Sequence, residues 1–204
     1  MHSTILAVMI ERPGYADSSA LRALHKTVAV LFVALLTIVA AQISLPLPFT
    51  PVPFTFQPMV VLVGAAALGA RLGASSQILY LTLGILGLPV FAASPILPQG
   101  VARLLGPTGG YLMAYPLAAF VTGRLAERGF DRRYATAVIA MVCGLAVVFL
   151  GGVSWLALYA RAAQGWSGAL AAGLYPFIVA DVVKLLVAAA VMPGVWWLTG
   201  LRRE

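Results

Sequence analysis

The chain has 204 residues, 62% of them apolar and 9% charged, a composition outside the range of ordinary soluble domains and expected of a polytopic membrane protein. Its net charge of +7 does not point to nucleic acid, because the charges fall between apolar runs instead of interleaving with polar residues on one surface. The single cysteine, Cys143, excludes an internal disulfide and sits in an apolar run, where it packs as a small hydrophobe.

At the N-terminus a seven-residue apolar run, Thr4 to Ile10, is followed by Glu11-Arg12-Pro13-Gly14 and not by a small-residue cleavage site, so no cleaved signal peptide is expected. Thr27 to Ala70 is a 44-residue stretch without a charge, long enough for two spans of about 20 residues. Pro46, Pro48, Pro51 and Pro53 divide it, since proline cannot continue a helix, which predicts helices over 26–43 and 55–70. Arg71 interrupts before a third helix over 72–87. The prolines and glycines of 87–110 predict a long ordered loop, followed by helices over 111–126, 134–160 and 170–199.

The expected fold is therefore an all-α membrane protein: six transmembrane helices in a compact bundle with long outer loops. Its divisions are an N-terminal segment (1–24), a membrane domain (25–199) and a tail (200–204). One side carries ten Lys and Arg residues (Arg12, Arg22, Lys26, Arg71, Arg124, Arg128, Arg132, Arg133, Arg202 and Arg203) and the other only Arg103 and Arg161. The positive-inside rule then puts both termini in the cytoplasm. Trp196 and Trp197 suit an aromatic belt at the inner surface, and Trp155 and Trp166 the outer one. Small residues four apart, such as Ala65 with Gly69 and Ala119 with Gly123, let helices approach closely, within one chain or against another subunit.

Asp181 and Lys184 break the charge-free pattern of the last helix, with no charge in 162–180 or 185–201. An ionisable group near the bilayer centre costs roughly 2.5–3.5 kcal/mol on insertion scales, so such groups are kept where they face protein, water or ligand. Three residues apart on a helix, the two share a face and neutralise each other. They form either a binding site or a buried ion pair that locks packing. LLGPTGGY (Leu104 to Tyr111) leads into a helix start, which favours anions, and Arg103 stands beside it as an anion partner or an interfacial anchor. Catalysis has little equipment: no HExxH, GxSxG or paired-acid motif occurs, and five of the six acids lie outside the spans. Neither lysine, Lys26 after His25 or Lys184 after Val183, belongs to a phosphate-binding Gly-Lys-Ser/Thr loop.

Four segments in this order, PFTPVPFTFQ (Pro48 to Gln57), GLPVFA (Gly87 to Ala92), LLGPTGGYL (Leu104 to Leu112) and PFIVADVVKLLVA (Pro176 to Ala188), resemble the BioY family, the biotin-specific substrate-binding components of energy-coupling factor transporters. The resemblance covers about residues 25 to 198. It implies a multi-pass protein of the bacterial inner membrane, in contact with lipid, that binds biotin from outside and passes it inward with a transmembrane coupling subunit and ABC ATPases. It implies no enzymatic activity, cofactor, metal or nucleic-acid partner. Three departures stand out: Ala114 where the family pattern tends to glycine, no strict AxxxA on the first span (Ala29 is followed by Val33, Ala34 by Ile38), and no asparagine anywhere.

Carried onto this chain, the resemblance implies a biotin site drawn from Asp181, Lys184, Arg103, Tyr111, Gly109, Thr108, Phe49 and Phe91. Asp181 would accept from a ureido N–H and Lys184 donate to the ureido carbonyl or hold Asp181 ionised. Phe49, Phe91 and Tyr111 would wrap the bicyclic body, and the carboxylate would meet Arg103 or the glycine amides. The alternatives are a substrate-binding component for another small vitamin and an ion-coupled carrier with Asp181 as its proton site.

Overall fold

A computed structural model describes residues 4–10, 18–94, 97–159 and 165–199. Arg12, Arg161, Arg202 and Arg203 of the charge count, and the expected tail over 200–204, lie outside the described residues. The described elements are helices α1 (Ile5–Ile10), α2 (Ser19–Gln42), α3 (Gln57–Leu68), α4 (Ala70–Ile85), α5 (Val101–Leu105), α6 (Gly109–Ala126), α7 (Tyr134–Tyr159), α8 (Gly165–Gly173) and α9 (Tyr175–Thr199), with strands β1 (Ser44–Leu45) and β2 (Phe54–Thr55). Helices α2, α7 and α9, of 24, 26 and 25 residues, are long and apolar enough to cross a membrane.

Ser18 caps α2 by accepting the N–H of Leu21 at 3.1 Å, starting that helix seven residues before the expected position 26. The proline-rich stretch stops α2, and its two ends close on each other as an antiparallel pair with Ser44 opposite Thr55 and Leu45 opposite Phe54. This small hairpin departs from an all-helical chain: prolines remove the N–H groups a helix needs, and strand pairing satisfies the flanking backbone. Between α3 and α4 the break falls at Gly69, whose φ of +88° suits glycine, and not at Arg71.

The helix expected over 170–199 is two helices. Pro176 has no N–H to offer the carbonyl of Ala172, which instead accepts from the Thr50 hydroxyl at 2.6 Å. The N–H groups of Phe177 and Ile178 both turn to Leu174 O, at 3.0 and 3.2 Å, and Gly173 O takes the Tyr111 hydroxyl at 2.7 Å. The carbonyls left over at this break are thus met by the first loop and by α6.

Helix α6 is central, packed on α3, α4 and α7, while α9 closes against α3 and α7 and α2 lies outside against α3 and α4. The small-residue faces serve contacts inside the chain. A Cβ at Gly73 would come within 2.9 Å of the Ala65 Cα, and Gly123 abuts Gly69 and Ala70. Large apolar residues such as Phe32, Leu150, Val179 and Leu198 face outward, as hydrocarbon surroundings permit.

Candidate functional site

The hairpin, α3, α5, α6, α7 and α9 surround a cavity of roughly 600 Å³, mouth included. Helix periodicity supplies much of the wall: Phe177, Asp181 and Lys184 line it at four- and three-residue steps along α9, and Tyr111 with Tyr115 do so along α6. Val148 and Phe149 contribute from α7, and Val52 and Pro53 from the hairpin loop.

Asp181 and Lys184 are both buried and form an ion pair. Lys184 Nζ also donates to Thr55 O at 2.7 Å and stands 4.0 Å from the Phe54 ring centroid, so the cation is tied to β2 as well as to its own helix. Mutual attraction offsets part of the cost of burying the two charges, and removing either partner would leave the other buried and unpaired.

Arg103 is 1% exposed and carried by α5, a helix inside what reads in sequence as loop. Its guanidinium donates to Ala92 O and, at 3.4 Å, to Pro98 O. These two bonds hold the loop around it and leave the remaining N–H donors of its five for the cavity it lines. Burial lowers the pKa of this group from its ordinary value, and the nearby Tyr80 opposes the shift. Among the described residues no acid pairs with it. Thr108, 5% exposed on the same wall, has a buried Oγ1 without a hydrogen-bond partner. The Tyr111 ring passes over Gly152, where a Cβ would overlap it, and lines the cavity while its hydroxyl is fixed on Gly173 O.

Three of the residues drawn from the sequence lie elsewhere. Phe49 is 65% exposed and lines a separate surface groove with Pro46, Pro48 and Ser94. Phe91 is fully buried behind the wall, edge-on to Tyr80 with centroids 5.6 Å apart, and its neighbour Ala92 is the residue on the cavity surface. Gly109 opens α6 pressed onto the Leu104 carbonyl, a closeness only glycine permits, and Gly110 backs onto Trp155 and Gly151 of α7. Neither glycine lines the cavity. Gln57, Tyr115 and Phe177 also line the cavity, beyond the residues expected from sequence. The helical steps from Asp181 and Tyr111 signal Tyr115 and Phe177, while Gln57 is signalled as a side-chain amide that closes the PFTPVPFTFQ segment.

Two cations and one carboxylate in a largely apolar enclosure leave an excess of one positive charge. Such a site suits a monoanion that also carries a neutral hydrogen-bonding head and an apolar body. A profile of the BioY family matches residues 14–200. The chain belongs to the BioY family. This family member is 41% identical over 171 residues to the probable biotin transporter BioY of Pyrococcus horikoshii, covering 84% of this chain and 95% of the relative. It is 40% identical to the biotin transporter BioY of Thermotoga maritima, covering 79% and 89%. In fold it is similar to a crystal structure of the S-component for biotin from an ECF-type ABC transporter, with a TM-score of 0.76 over 88% of this chain and 94% of that one at 24% identity. Family membership and the apolar helices make it an integral membrane protein of a transporter family.

Proposed function

We propose that this chain binds biotin and translocates it across the membrane as the substrate-binding component of a vitamin uptake transporter. One observation carries the reading: an ion pair, Asp181–Lys184, and an acid-free guanidinium, Arg103, face one cavity whose other walls are mostly apolar. Biotin has the matching parts. Its ureido ring meets Asp181 and Lys184, its thiophane and chain lie along Tyr111, Tyr115 and Phe177, and its carboxylate goes to Arg103, with Thr108 adding a hydroxyl. Phe49, Phe91 and Gly109 act indirectly, shaping the outer groove, the wall behind Ala92 and the turn into α6.

In this reading six spans cross a bacterial inner membrane with both termini in the cytoplasm, and the cavity opens outward. The excess of Lys and Arg on the terminal side supports that orientation. A transmembrane coupling subunit and ABC ATPases supply energy, since the chain has no phosphate-binding loop of its own.

Saturation binding of labelled biotin to the purified chain in detergent tests the substrate. Specific, saturable binding that unlabelled biotin displaces is expected; no binding in a folded sample sinks the reading, and binding of a different vitamin alone would replace biotin. Orientation is tested in intact cells in a Cys143→Ala background. Ser94→Cys should react with an impermeant thiol reagent, and Arg128→Cys should react only after the membrane is opened. The reverse pattern inverts the topology.

A further inference from the structure

A cyclic urea presents two N–H donors, and a rigid site that recognises both needs two fixed acceptors. Asp181 on α9 is one. The cavity holds a second side chain of that capacity, at the last residue of the PFTPVPFTFQ segment. Gln57, the first residue of α3, is 3% exposed and lines the cavity beside Thr55 and Pro58. Its Nε2 donates to the Tyr80 hydroxyl at 2.7 Å.

Tyr80 is fully buried on α4 and is not part of the cavity wall. It is clamped edge-on against Phe91, with centroids 5.6 Å apart, and lies beside Tyr115, at 6.5 Å. Phe91 is in turn seated on Gly84, where any Cβ would overlap its ring. One of its two amide N–H groups is therefore engaged behind the wall, and the carbonyl Oε1, across the planar amide from that nitrogen, is the acceptor it can offer to the cavity. A glutamine side chain is ordinarily mobile, and ordering it on binding carries an entropic cost. Here the hydrogen bond to a clamped phenol orders it in advance.

We infer that Gln57 Oε1 is the second ureido acceptor, opposite Asp181, and that Tyr80 is the positioning residue that fixes it. The inference rests on the biotin reading above and adds to it the atom that reads the second N–H. It also gives Phe91 and Gly84 a purpose: they hold the phenol that holds the amide.

The test pairs variants with ligands: biotin and its two mono-N-methyl ureido analogues, each lacking one N–H, against wild type, Gln57→Leu and Tyr80→Phe, by competition with labelled biotin. In wild type both analogues should bind at least about 10-fold more weakly than biotin, the scale of one hydrogen bond to a buried acceptor. Gln57→Leu should weaken biotin by about 10-fold yet leave one analogue, the one already lacking the N–H that faces Gln57, within about twofold of its wild-type affinity. Tyr80→Phe should show the same selectivity with a smaller loss, about threefold, because Gln57 keeps its carbonyl and loses only its anchor. Equal losses for biotin and both analogues in Gln57→Leu would make its role structural and overturn the assignment. Unchanged affinities in Tyr80→Phe would remove Tyr80 from it. Should wild type bind no biotin, the substrate reading fails first and this inference with it, an outcome distinct from both.

Discussion

Around the cavity, Lys184, Arg103, Thr108 and Gln57 are buried with part of their hydrogen-bonding capacity unused by protein, whereas at the opposite end of the bundle most of the buried polar groups pair with one another, Arg132 Nε being an exception. There, Trp196 Nε1 donates to Asp131 Oδ2 at 2.6 Å, and the Arg132 guanidinium lies 4.8 Å from the Trp196 ring centroid. Glu127 accepts the N–H of Ala70 at 2.9 Å and a donor of Arg124 at 3.0 Å. Helix α1 adds Ile5 to a second apolar cluster with Ala66, Ala126, Met192 and Trp196. Leaving polar groups partly satisfied is unfavourable to the empty fold, so it is expected where a guest completes them. Substitutions at the two ends should accordingly separate binding from stability.

The largest effect is expected at Lys184. Lys184→Met leaves Asp181 buried without its cation and removes the donor to Thr55 O of β2, and breaking one side of a buried pair typically costs about 3–5 kcal/mol. Biotin affinity should fall by at least about 100-fold, with Asp181→Asn losing about 10- to 100-fold because an amide still accepts a hydrogen bond. Equilibrium binding of labelled biotin measures both, and unchanged affinity in the two variants would remove the ion pair from the site.

Arg103 comes next. Arg103→Met should lower biotin affinity by about 10- to 100-fold, the scale of charged hydrogen bonds, while biotin methyl ester, which carries no charge, changes much less. The same guanidinium holds Ala92 O and Pro98 O, so the ester is the necessary control: parallel losses for acid and ester would mean that Arg103 only shapes its loop.

At the opposite end the readout changes. Trp196→Phe keeps most of a fully buried ring and deletes the donor to Asp131, itself 1% exposed. Thermal unfolding should report a loss of about 1.5–3 kcal/mol, with biotin affinity within about twofold of wild type. A comparable loss of affinity at constant stability would couple the two ends and erase the contrast between them.

The same contrast explains which parts were legible in sequence. Charge-free runs marked where the long helices lie and the four prolines marked the end of α2, because a charge in lipid and a proline in a helix carry penalties that local sequence already contains, while the start of α2, the Gly69 break and the split before α9 fell elsewhere than the charges and prolines suggested. Helix α1, the two-residue strands and α5 were not marked. Elements so short are marginal alone and exist through tertiary contacts, such as Ile5 against Trp196 and Arg103 against Ala92 O. In the site, the ion pair and Arg103 stood out as charges against apolar surroundings. Phe49 and Phe91 did not sort themselves, because an aromatic side chain suits a ligand wall, a core and a membrane surface equally, and only the fold sent one outward and the other behind Ala92. The role of Gln57 was hidden because it depends on Tyr80, 23 positions away.

The smallest effects should appear at the Gly69 break, where Glu127 receives the first N–H of α4 and also pairs with Arg124. Those two interactions are unequal. The Arg124 side chain is 58% exposed, and exposed ion pairs contribute about 0.2–1 kcal/mol, so Arg124→Ala should shift stability little. Accepting the N–H of Ala70 caps a helix start, and losing a cap costs about 0.5–2 kcal/mol. A negative charge there also meets the positive end of the helix dipole, worth about 0.3–1 kcal/mol. Glu127→Ala should therefore cost more than Arg124→Ala, and Glu127→Gln, which keeps an acceptor oxygen and loses the charge, should fall between them. Thermal unfolding of the three variants gives the order. If Arg124→Ala matches Glu127→Ala, the ion pair and not the cap holds this corner. A change in biotin affinity in any of the three would show that the closed end of the bundle is felt at the cavity.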